Sequence, residues 1–411
     1  MEFKKFLSTS FSQKTTNNSV ATAINNYKRP YIEPIDTTLL WSIILIISFG
    51  LIMVFSSSIA IAEGSKMTNN QPYFFVLRHL IFLIIGTILL IVAFRVPTHV
   101  WQKNALLLFV LGTSMLIAVL IPGIGKEVNG AQRWIRLGLI NVQPSEFMKI
   151  LSVLYASDYI TRKKDTLNNL KLSFLPMLTV IVITGGLLLV EPDFGAFIVI
   201  SFISFGILFL GGAKLKGFLM LLILAVIGFV VIILTSPYRL ARVIGFLDPW
   251  QDPYGKGYQL SHSLIAFGRG EIFGVGLGSS IEKLFYLPEA HTDFLMAVIG
   301  EELGFFGVIT VIILFSIVIY KSFMISFQCS KFQKDYERLV AQGMGLWFGF
   351  QVFINIGVNL GLLPTKGLTL PFMSFGGSSI VANMIAVGIL LRIDWDNRKI
   401  TRTSYDYLKK N

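Results

Sequence analysis

The 411-residue chain contains a single cysteine and few charged residues. One thiol, Cys329, excludes a disulfide framework within the chain and any metal cluster built from cysteines, so we expect it to be inert. Charged residues make up only 14% of the sequence, against 54% hydrophobic residues and a mean hydropathy of +0.70. This composition excludes a soluble globular domain and indicates a membrane protein.

Ten apolar runs divide the chain, each near the ~20 residues that a ~30 Å hydrocarbon core requires. The predicted fold is therefore all-α, a polytopic membrane protein with about ten transmembrane helices. The fourth run is the least suited to face lipid, because it contains Glu146, Lys149 and Asp158. The predicted spans are 38–62, 78–95, 104–121, 143–160, 172–190, 194–211, 216–235, 294–320, 339–362 and 377–392.

The net charge of +12 comes from basic residues spread among short loops and both tails. That distribution favours contact with anionic membrane lipids and sets orientation, and we expect no nucleic-acid partner. The positive-inside rule places both termini in the cytoplasm. The domains follow as an N-terminal tail at 1–36, a membrane domain at 37–395 and a C-terminal tail at 396–411. The outer loops are then 63–77, 122–142, 191–193, 236–293 and 363–376.

The large outer loop, 236–293, separates the seventh and eighth spans and ends where a polar segment becomes an apolar helix. Asp293 stands at that edge, where a carboxylate keeps contact with water while facing a substrate whose lipid tail stays in the bilayer. The alternative role of Asp293 is to cap the helix that starts at Phe294. Within the same loop, 257–268 predicts a short amphipathic helix, whereas the glycines of 268–278 lack the preceding strand of a nucleotide-binding loop.

The other outer loops contain further polar residues, each with an ordinary structural alternative. Loop 122–142 predicts an amphipathic Arg/Trp segment in the membrane interface, and loop 363–376 predicts irregular backbone at membrane depth. Glu146 and Lys149 form either an ion pair that holds a broken helix or a substrate site. Glu191 and Asp193 are either turn residues or part of an acidic cluster.

Several separated motifs together resemble the SEDS family (shape, elongation, division and sporulation), and its division branch more than its elongation branch. The resemblance covers roughly residues 37 to 395. The motifs are QPSEFMK at 143–149, GYQ at 257–259, EAHTDF at 289–294, GEELG at 300–304, LPTKG at 363–367 and PFMSFGGSS at 371–379.

The resemblance implies an inverting peptidoglycan glycosyltransferase that polymerises lipid II, an undecaprenyl-pyrophosphoryl disaccharide pentapeptide, outside the bacterial cytoplasmic (inner) membrane during septal synthesis. The implied partners are a class B penicillin-binding protein, which crosslinks the product, and other division proteins. Asp293 matches the family's essential carboxylate. It would serve as the base for the attacking sugar hydroxyl, while cations meet the departing pyrophosphate.

The remaining site residues are candidates whose individual roles stay open. His291 either orients Asp293 or caps the loop, and Lys366 either binds phosphate or snorkels to the interface. A divalent cation, Mg²⁺ or Mn²⁺, held by Glu191 or Asp193 is a further hypothesis. The residues predicted to bind substrate are Glu146, Lys149, Arg239, Arg242, His291, Lys366 and Ser378.

Two other functions remain open. A lipid II flippase would also use intramembrane charges such as Glu146 and Lys149. Its transport path needs polar residues from both sides, whereas those of this chain gather on the outer side. The second alternative is a division scaffold without chemistry of its own, which would tolerate the loss of Asp293.

Overall fold

The computed structural model describes residues 33–128, 130–138, 140–166 and 170–410. Residues 36–397 form one compact unit. Of the other described residues, 33–35 and 398–410 lie outside this unit, and 398–410 are helical. Most of the predicted N-terminal tail, 1–32, lies outside the described residues.

Thirteen α-helices and three short strands make up the described part of the chain. The strands are β1 (Gly125–Val128), β2 (Ala131–Leu137) and β3 (Ile140–Val142). The helices are α1 (Thr37–Gly64), α2 (Phe74–Arg95), α3 (Thr98–Lys103), α4 (Ala105–Leu120), α5 (Pro144–Arg162), α6 (Leu170–Val190), α7 (Phe194–Leu210), α8 (Leu215–Leu234), α9 (Pro237–Leu247), α10 (Tyr258–Gly270), α11 (Leu295–Lys331), α12 (Asp335–Asn359) and α13 (Gly377–Lys410).

Every predicted span coincides with one of these helices, although they differ in how well they suit a bilayer. Among the described residues, six helices are long and apolar enough to cross a membrane, namely α1, α2, α8, α11, α12 and α13. Shorter apolar helices lie at 105–120, 175–190 and 194–210. Helix α5 carries the charges of the fourth run and is buried along nearly its whole length, so Glu146, Lys149 and Asp158 face protein.

The loop at 122–142 forms a small antiparallel sheet in the order β1-β2-β3, a departure from the purely helical prediction. Glycines allow the turns between its strands. Gly130 and Gly138 have φ values of 75° and 63°, which a residue with a side chain rarely adopts. The Arg/Trp segment is therefore strand β2.

The loop at 236–293 contains α9 and α10, and α10 confirms the amphipathic helix predicted at 257–268. Helix α11, which coincides with the predicted eighth span, packs against α1, α10 and α12. It is one helix only in outline, because Gly304 has a φ of 63° and a ψ of −158° and breaks it.

Backbone groups released at this break bond to the segment 271–276 instead of to their own helix. In one direction, amides of this segment donate to carbonyls of α11. In the other, amides of α11 donate to carbonyls of the segment. The four bonds are Val275 N to Glu301 O (3.0 Å), Gly276 N to Glu302 O (3.0 Å), Phe305 N to Glu271 O (3.0 Å) and Phe306 N to Ile272 O (3.3 Å).

The two ends of the bundle can be told apart from contacts between distant residues. At one end, the main-chain N–H of Asp36 donates to Asp394 at 2.7 Å. At the other end, the main-chain N–H of Gln143 donates to the Ser378 hydroxyl at 2.9 Å. Helix α13 contains both Ser378 and Asp394, so its length separates the two ends, and Asp36 and Asp394 lie on the same side.

Candidate active site

Asp293 is fixed by its backbone rather than by its side chain. Its main-chain carbonyl accepts hydrogen bonds from the side-chain amides of Asn355 (2.9 Å) and Asn359 (3.0 Å), both on α12. The N-cap of α11 is Phe294, and that end has no side-chain cap. The alternative in which Asp293 caps the helix is therefore wrong, so the carboxyl group is not used to hold α11.

Burial and four charged neighbours set the protonation of Asp293. Desolvation raises the pKa of this carboxyl to about 7, and the negative charge of Glu289 adds to the rise. Arg133 and Arg242 act in the opposite direction, and Asp193 has a smaller raising effect. The side chain keeps partial contact with solvent. A carboxylate with a pKa near neutrality and access to water suits a general base.

The loop at 363–376 passes directly over Asp293. A Cβ atom built on Gly367 would lie 3.0 Å from the Asp293 Oδ2 atom. On either side of Gly367, the Thr365 carbonyl accepts a 3.2 Å hydrogen bond from Arg242 Nη1 and the Leu368 carbonyl accepts a 2.6 Å bond from Asn355. The predicted cation Arg242 therefore lies in the Asp293 environment. The Arg239 side chain lies outside the described residues.

Arg133 is a member of this site that we did not predict as a functional residue. It lies on β2, and its guanidinium donates to the carbonyls of Glu191 (3.3 Å) and Pro192 (2.5 Å). Its charge acts on both Asp293 and Glu191. An arginine within the Arg/Trp segment was the sequence feature that could have indicated this role. Its position near Asp293 depends on the pairing of the strands, which the sequence did not predict.

Lys366 and Ser378 contact the first residues of other helices. The Lys366 ammonium lies 4.1 Å from the centre of the Phe194 ring, a cation–π contact at the start of α7. Ser378 is buried and accepts the main-chain hydrogen bond from Gln143, which joins the first turn of α13 to the start of α5. Substrate binding by these two residues stays a prediction.

Glu146 and Lys149 form a buried ion pair of 2.7 Å within α5. Lys149 has no exposed surface, and it also donates to the side-chain oxygen of Gln351 at 3.1 Å. Helix α5 is continuous, so the pair does not hold a broken helix. The bond from Lys149 to Gln351 instead links α5 to α12, and direct contact between Lys149 and substrate stays a prediction.

His291 lies in an aromatic cluster next to the Asp293 turn. Its ring centre is 4.6 Å from that of Phe75 and 5.7 Å from that of Phe375. Burial lowers the pKa of this imidazole, which favours the neutral form. Among the described residues, the His291 Nδ1 atom has no hydrogen-bond partner. The ring therefore packs as an aromatic group in this arrangement, and an orienting role toward Asp293 stays a prediction.

Asp193 and Glu191 have different tasks although they are two residues apart. Asp193 caps α7 by accepting from the Ala196 N–H, and its other oxygen accepts from Ser145 (2.7 Å) and Gln143 (3.1 Å). Glu191 is fully buried, and neither of its carboxyl oxygens has a partner among the described residues. Burial raises the pKa of Glu191 to about 8, with Asp193 as the second cause.

This pair does not fit a divalent cation. Glu191 has no exposed surface and both Asp193 oxygens already accept hydrogen bonds, whereas Mg²⁺ or Mn²⁺ needs accessible oxygen ligands. Across the part of the chain that the structure describes, no group of three or more acidic, histidine or cysteine side chains could hold a metal ion. We therefore assign no step of the reaction to a metal.

The apolar helices and the charged residues around Asp293 define a membrane protein with several spans. The sequence profile of the FtsW/RodA/SpoVE cell cycle proteins matches residues 37–399. The chain belongs to this family, which confirms the resemblance to the SEDS proteins.

One close relative is a probable peptidoglycan glycosyltransferase FtsW from Aromatoleum aromaticum. The two sequences are 54% identical over 406 residues, which is 98% of this chain and 99% of the relative. Because nearly the whole length of both chains aligns, the similarity covers every helix that surrounds Asp293.

Solved structures share the same architecture. A chain of a peptidoglycan synthase complex that coordinates polymerisation and crosslinking matches with a TM-score of 0.70 and 26% identity, over 88% of this chain and 98% of that one. The rod shape determining protein RodA of Thermus thermophilus matches with a TM-score of 0.63 and 24% identity, over 88% and 97% of the two chains. The RodA similarity supports the fold alone.

Proposed function

We propose that this chain is a peptidoglycan glycosyltransferase that polymerises lipid II into glycan strands, with Asp293 as its general base. The full-length similarity to FtsW supports the enzyme class. The single observation that supports the site is the Asp293 carboxyl, whose pKa is raised to about 7 beside two arginines. A base and fixed cations are the groups that transfer from a sugar pyrophosphoryl lipid requires.

The reaction is a single displacement at the anomeric carbon. A hydroxyl oxygen of the acceptor sugar forms the new C–O bond while the bond from the anomeric carbon to the pyrophosphate oxygen breaks. Asp293 takes the hydroxyl proton, and the pyrophosphoryl lipid leaves with the bonding electron pair. Attack opposite the leaving group inverts the anomeric configuration. Pyrophosphate is a good leaving group, so one carboxylate suffices where glycosidases use two.

The cations near Asp293 can balance the negative charge of the leaving pyrophosphate. Arg133 and Arg242 act on Asp293 electrostatically, and Arg242 is held by the Thr365 carbonyl next to Lys366. Fixed positive charges at the developing anion lower the barrier most when the protein holds them before the reaction. We therefore propose Arg133, Arg242 and Lys366 as the residues that receive the pyrophosphate.

The setting of the enzyme is the bacterial cytoplasmic membrane, with both tails inside and the Asp293 end outside. The distribution of Lys and Arg supports this orientation, as does the contact of Asp36 with Asp394, which lie near the two tails. The similarity to a chain of a peptidoglycan synthase complex supports a class B penicillin-binding protein as the crosslinking partner. The similarity to FtsW supports action at the division septum.

A polymerisation assay tests this function. The purified protein, together with its class B partner, is incubated with lipid II, and the glycan products are separated by length. We expect polymer from the wild type and none from Asp293→Asn. The matched control is Asp248→Asn, which neutralises an exposed carboxylate of the same outer loop and should leave polymerisation unchanged.

The outcomes separate the three functions. Normal polymerisation by Asp293→Asn would remove Asp293 from the chemistry. Movement of lipid II across liposome membranes without polymer would indicate a flippase. Normal growth of cells that carry Asp293→Asn, together with failure of cells that lack the tails, would indicate a scaffold.

A further inference from the structure

Two adjacent glutamates of α11 are completely buried and fully bonded. The Glu301 carboxylate accepts from Arg269 Nη1 at 2.7 Å, from the Ser280 hydroxyl and from the main-chain N–H of Ile281 at 3.0 Å. Neither Glu301 nor Glu302 has exposed surface. A buried carboxylate without hydrogen-bond or charge partners is very unfavourable. The partners of Glu301 and Glu302 therefore fix the position of this part of α11.

Glu302 is bonded to a second cation and to another helix. Lys283 Nζ lies 2.6 Å from the Glu302 carboxylate, and the Ser56 hydroxyl of α1 donates to both carboxylate oxygens at 2.7 and 2.8 Å. Lys283 also donates to Ser56 (2.9 Å) and to the Gly278 carbonyl (2.8 Å). We refer to Ser56, Arg269, Ser280, Lys283, Glu301 and Glu302 as the buried charge network.

The buried charge network includes residues on both sides of the segment that contains Asp293. Lys283 lies just before that segment, 284–294, and α11 begins just after it. The backbone bonds at the Gly304 break join 271–276 to α11 a second time. Residues 269–283 and 295–306 are thus tied together by side chains and by backbone, and the segment between them forms a loop with fixed ends.

We infer that the buried charge network positions Asp293, by holding both ends of the 284–294 loop and tying them through Ser56 to α1. The two glutamates lie about 12 Å along the helix from Asp293, at 1.5 Å per residue, which is too far for them to share in its proton transfer. They act through the placement of the base. This inference rests on the proposed function, since it requires Asp293 to be catalytic.

A purely structural role would have a different effect from a positioning role. Loss of a structural pair lowers the amount or thermal stability of folded protein, but leaves the folded fraction fully active. Loss of positioning lowers kcat in the folded fraction, and displacement of a base by about 1 Å can reduce the rate about 10²-fold. It also admits water to Asp293, which lowers the pKa of that carboxyl toward its ordinary value.

The test compares Lys283→Met and Glu302→Gln with a matched control, Lys321→Met. Lys321 forms a 2.9 Å ion pair with Asp36, so it joins α11 to the start of α1 at the other end of α11. The kcat and KM for lipid II, the pH profile of polymerisation and the melting temperature are measured for each protein. Asp293→Asn is assayed in parallel, so that failure of the proposed function is seen separately.

We expect Lys283→Met and Glu302→Gln to lower kcat about 10²-fold with little change in KM, and to move the acid limb of the pH profile to lower pH. Glu289, Asp193, Arg133 and Arg242 also act on Asp293 and are unchanged in these variants. Lys321→Met should lower the melting temperature and leave kcat and the acid limb unchanged.

If either network variant fails to fold, Ser56→Ala removes only a hydroxyl from the same pair and should shift kcat in the same direction by a smaller factor. The inference is overturned if folded network variants keep the wild-type kcat and acid limb while Asp293→Asn is inactive. It is also overturned if Lys321→Met lowers kcat as much as Lys283→Met does.

Discussion

Gly367 lies so close to Asp293 that a Cβ atom at residue 367 would be 3.0 Å from the Asp293 Oδ2 atom. Because Gly367 has no side chain, the Asp293 carboxyl group fits beside the 363–376 loop. Gly367 does not have a positive φ, so its backbone conformation does not require a glycine. The close approach to Asp293 is therefore the physical reason for a glycine at this place in the LPTKG motif.

Gly367→Ala should lower kcat about tenfold, because the carboxylate must move by a few tenths of an ångström to admit the methyl group. Gly376→Ala is the matched control in the same loop, since its Cβ would meet its nearest neighbours at 3.4 Å or more. Initial rates of lipid II polymerisation measure both. Equal rates for the two variants would contradict the close approach.

The polymerisation rate should depend on a group that titrates near pH 7. The pKa of Asp293 is raised to about 7, and a general base works only in its deprotonated form. Below pH 7, kcat/KM should therefore fall about tenfold per pH unit. Rates from pH 5 to 9 measure this limb, and a limb near pH 4 would show a carboxyl with an ordinary pKa of ~3.9.

Arg133→Ala should both lower the rate and move this acid limb to higher pH. The arginine stabilises the charged form of Asp293, so its removal raises the pKa of the carboxyl further. Arg136→Ala is the control, because this exposed arginine lies on the same strand with its side chain on the opposite face. A shift of the limb in both variants would contradict a specific role for Arg133.

Glu191→Gln should raise the melting temperature at pH 8 and have little effect at pH 5. The pKa of Glu191 is raised to about 8 in the folded protein, against ~4.3 for an ordinary glutamate, so folded protein binds the proton more tightly than unfolded protein. Stability is then lost as pH rises between these values. Glutamine does not ionise, so the variant does not lose this stability as the pH rises.

Asp193→Asn provides the contrast for Glu191→Gln. Asp193 caps α7 and accepts from Ser145, so its replacement should remove about 1 kcal/mol or more of stability. The melting temperature should fall at pH 6 and at pH 8 alike. A fall only above pH 8 would contradict the capping role. Thermal unfolding of the two variants in detergent measures both predictions.

The positions of the helices followed from hydrophobic length, because a lipid core accepts only segments that satisfy their own backbone hydrogen bonds. The same reasoning placed Asp293 at the edge of α11 and described α10 correctly. It could not foresee the β1-β2-β3 sheet, since strands this short depend on pairing with each other across two glycine turns.

The roles of individual charges were harder to predict, because a side chain's partners come from distant parts of the chain. Glu146 and Lys149 lie one turn apart on α5, yet the hydrogen bond from Lys149 to Gln351 on α12 is a tertiary contact. Arg133 reaches the Asp293 environment only through β2. The pairing of Glu302 with Ser56 joins residues 246 positions apart.

The sequence alone determined that this is a multi-helix membrane protein of the SEDS family with a carboxylate at a loop-to-helix edge, since apolar length, charge distribution and local motifs depend on near neighbours in the chain. Only the tertiary structure decided which charges surround that carboxylate, which cations neutralise the two buried glutamates and where α11 breaks. Those properties depend on burial and on distances of a few ångströms, which are set when separate helices and loops pack together.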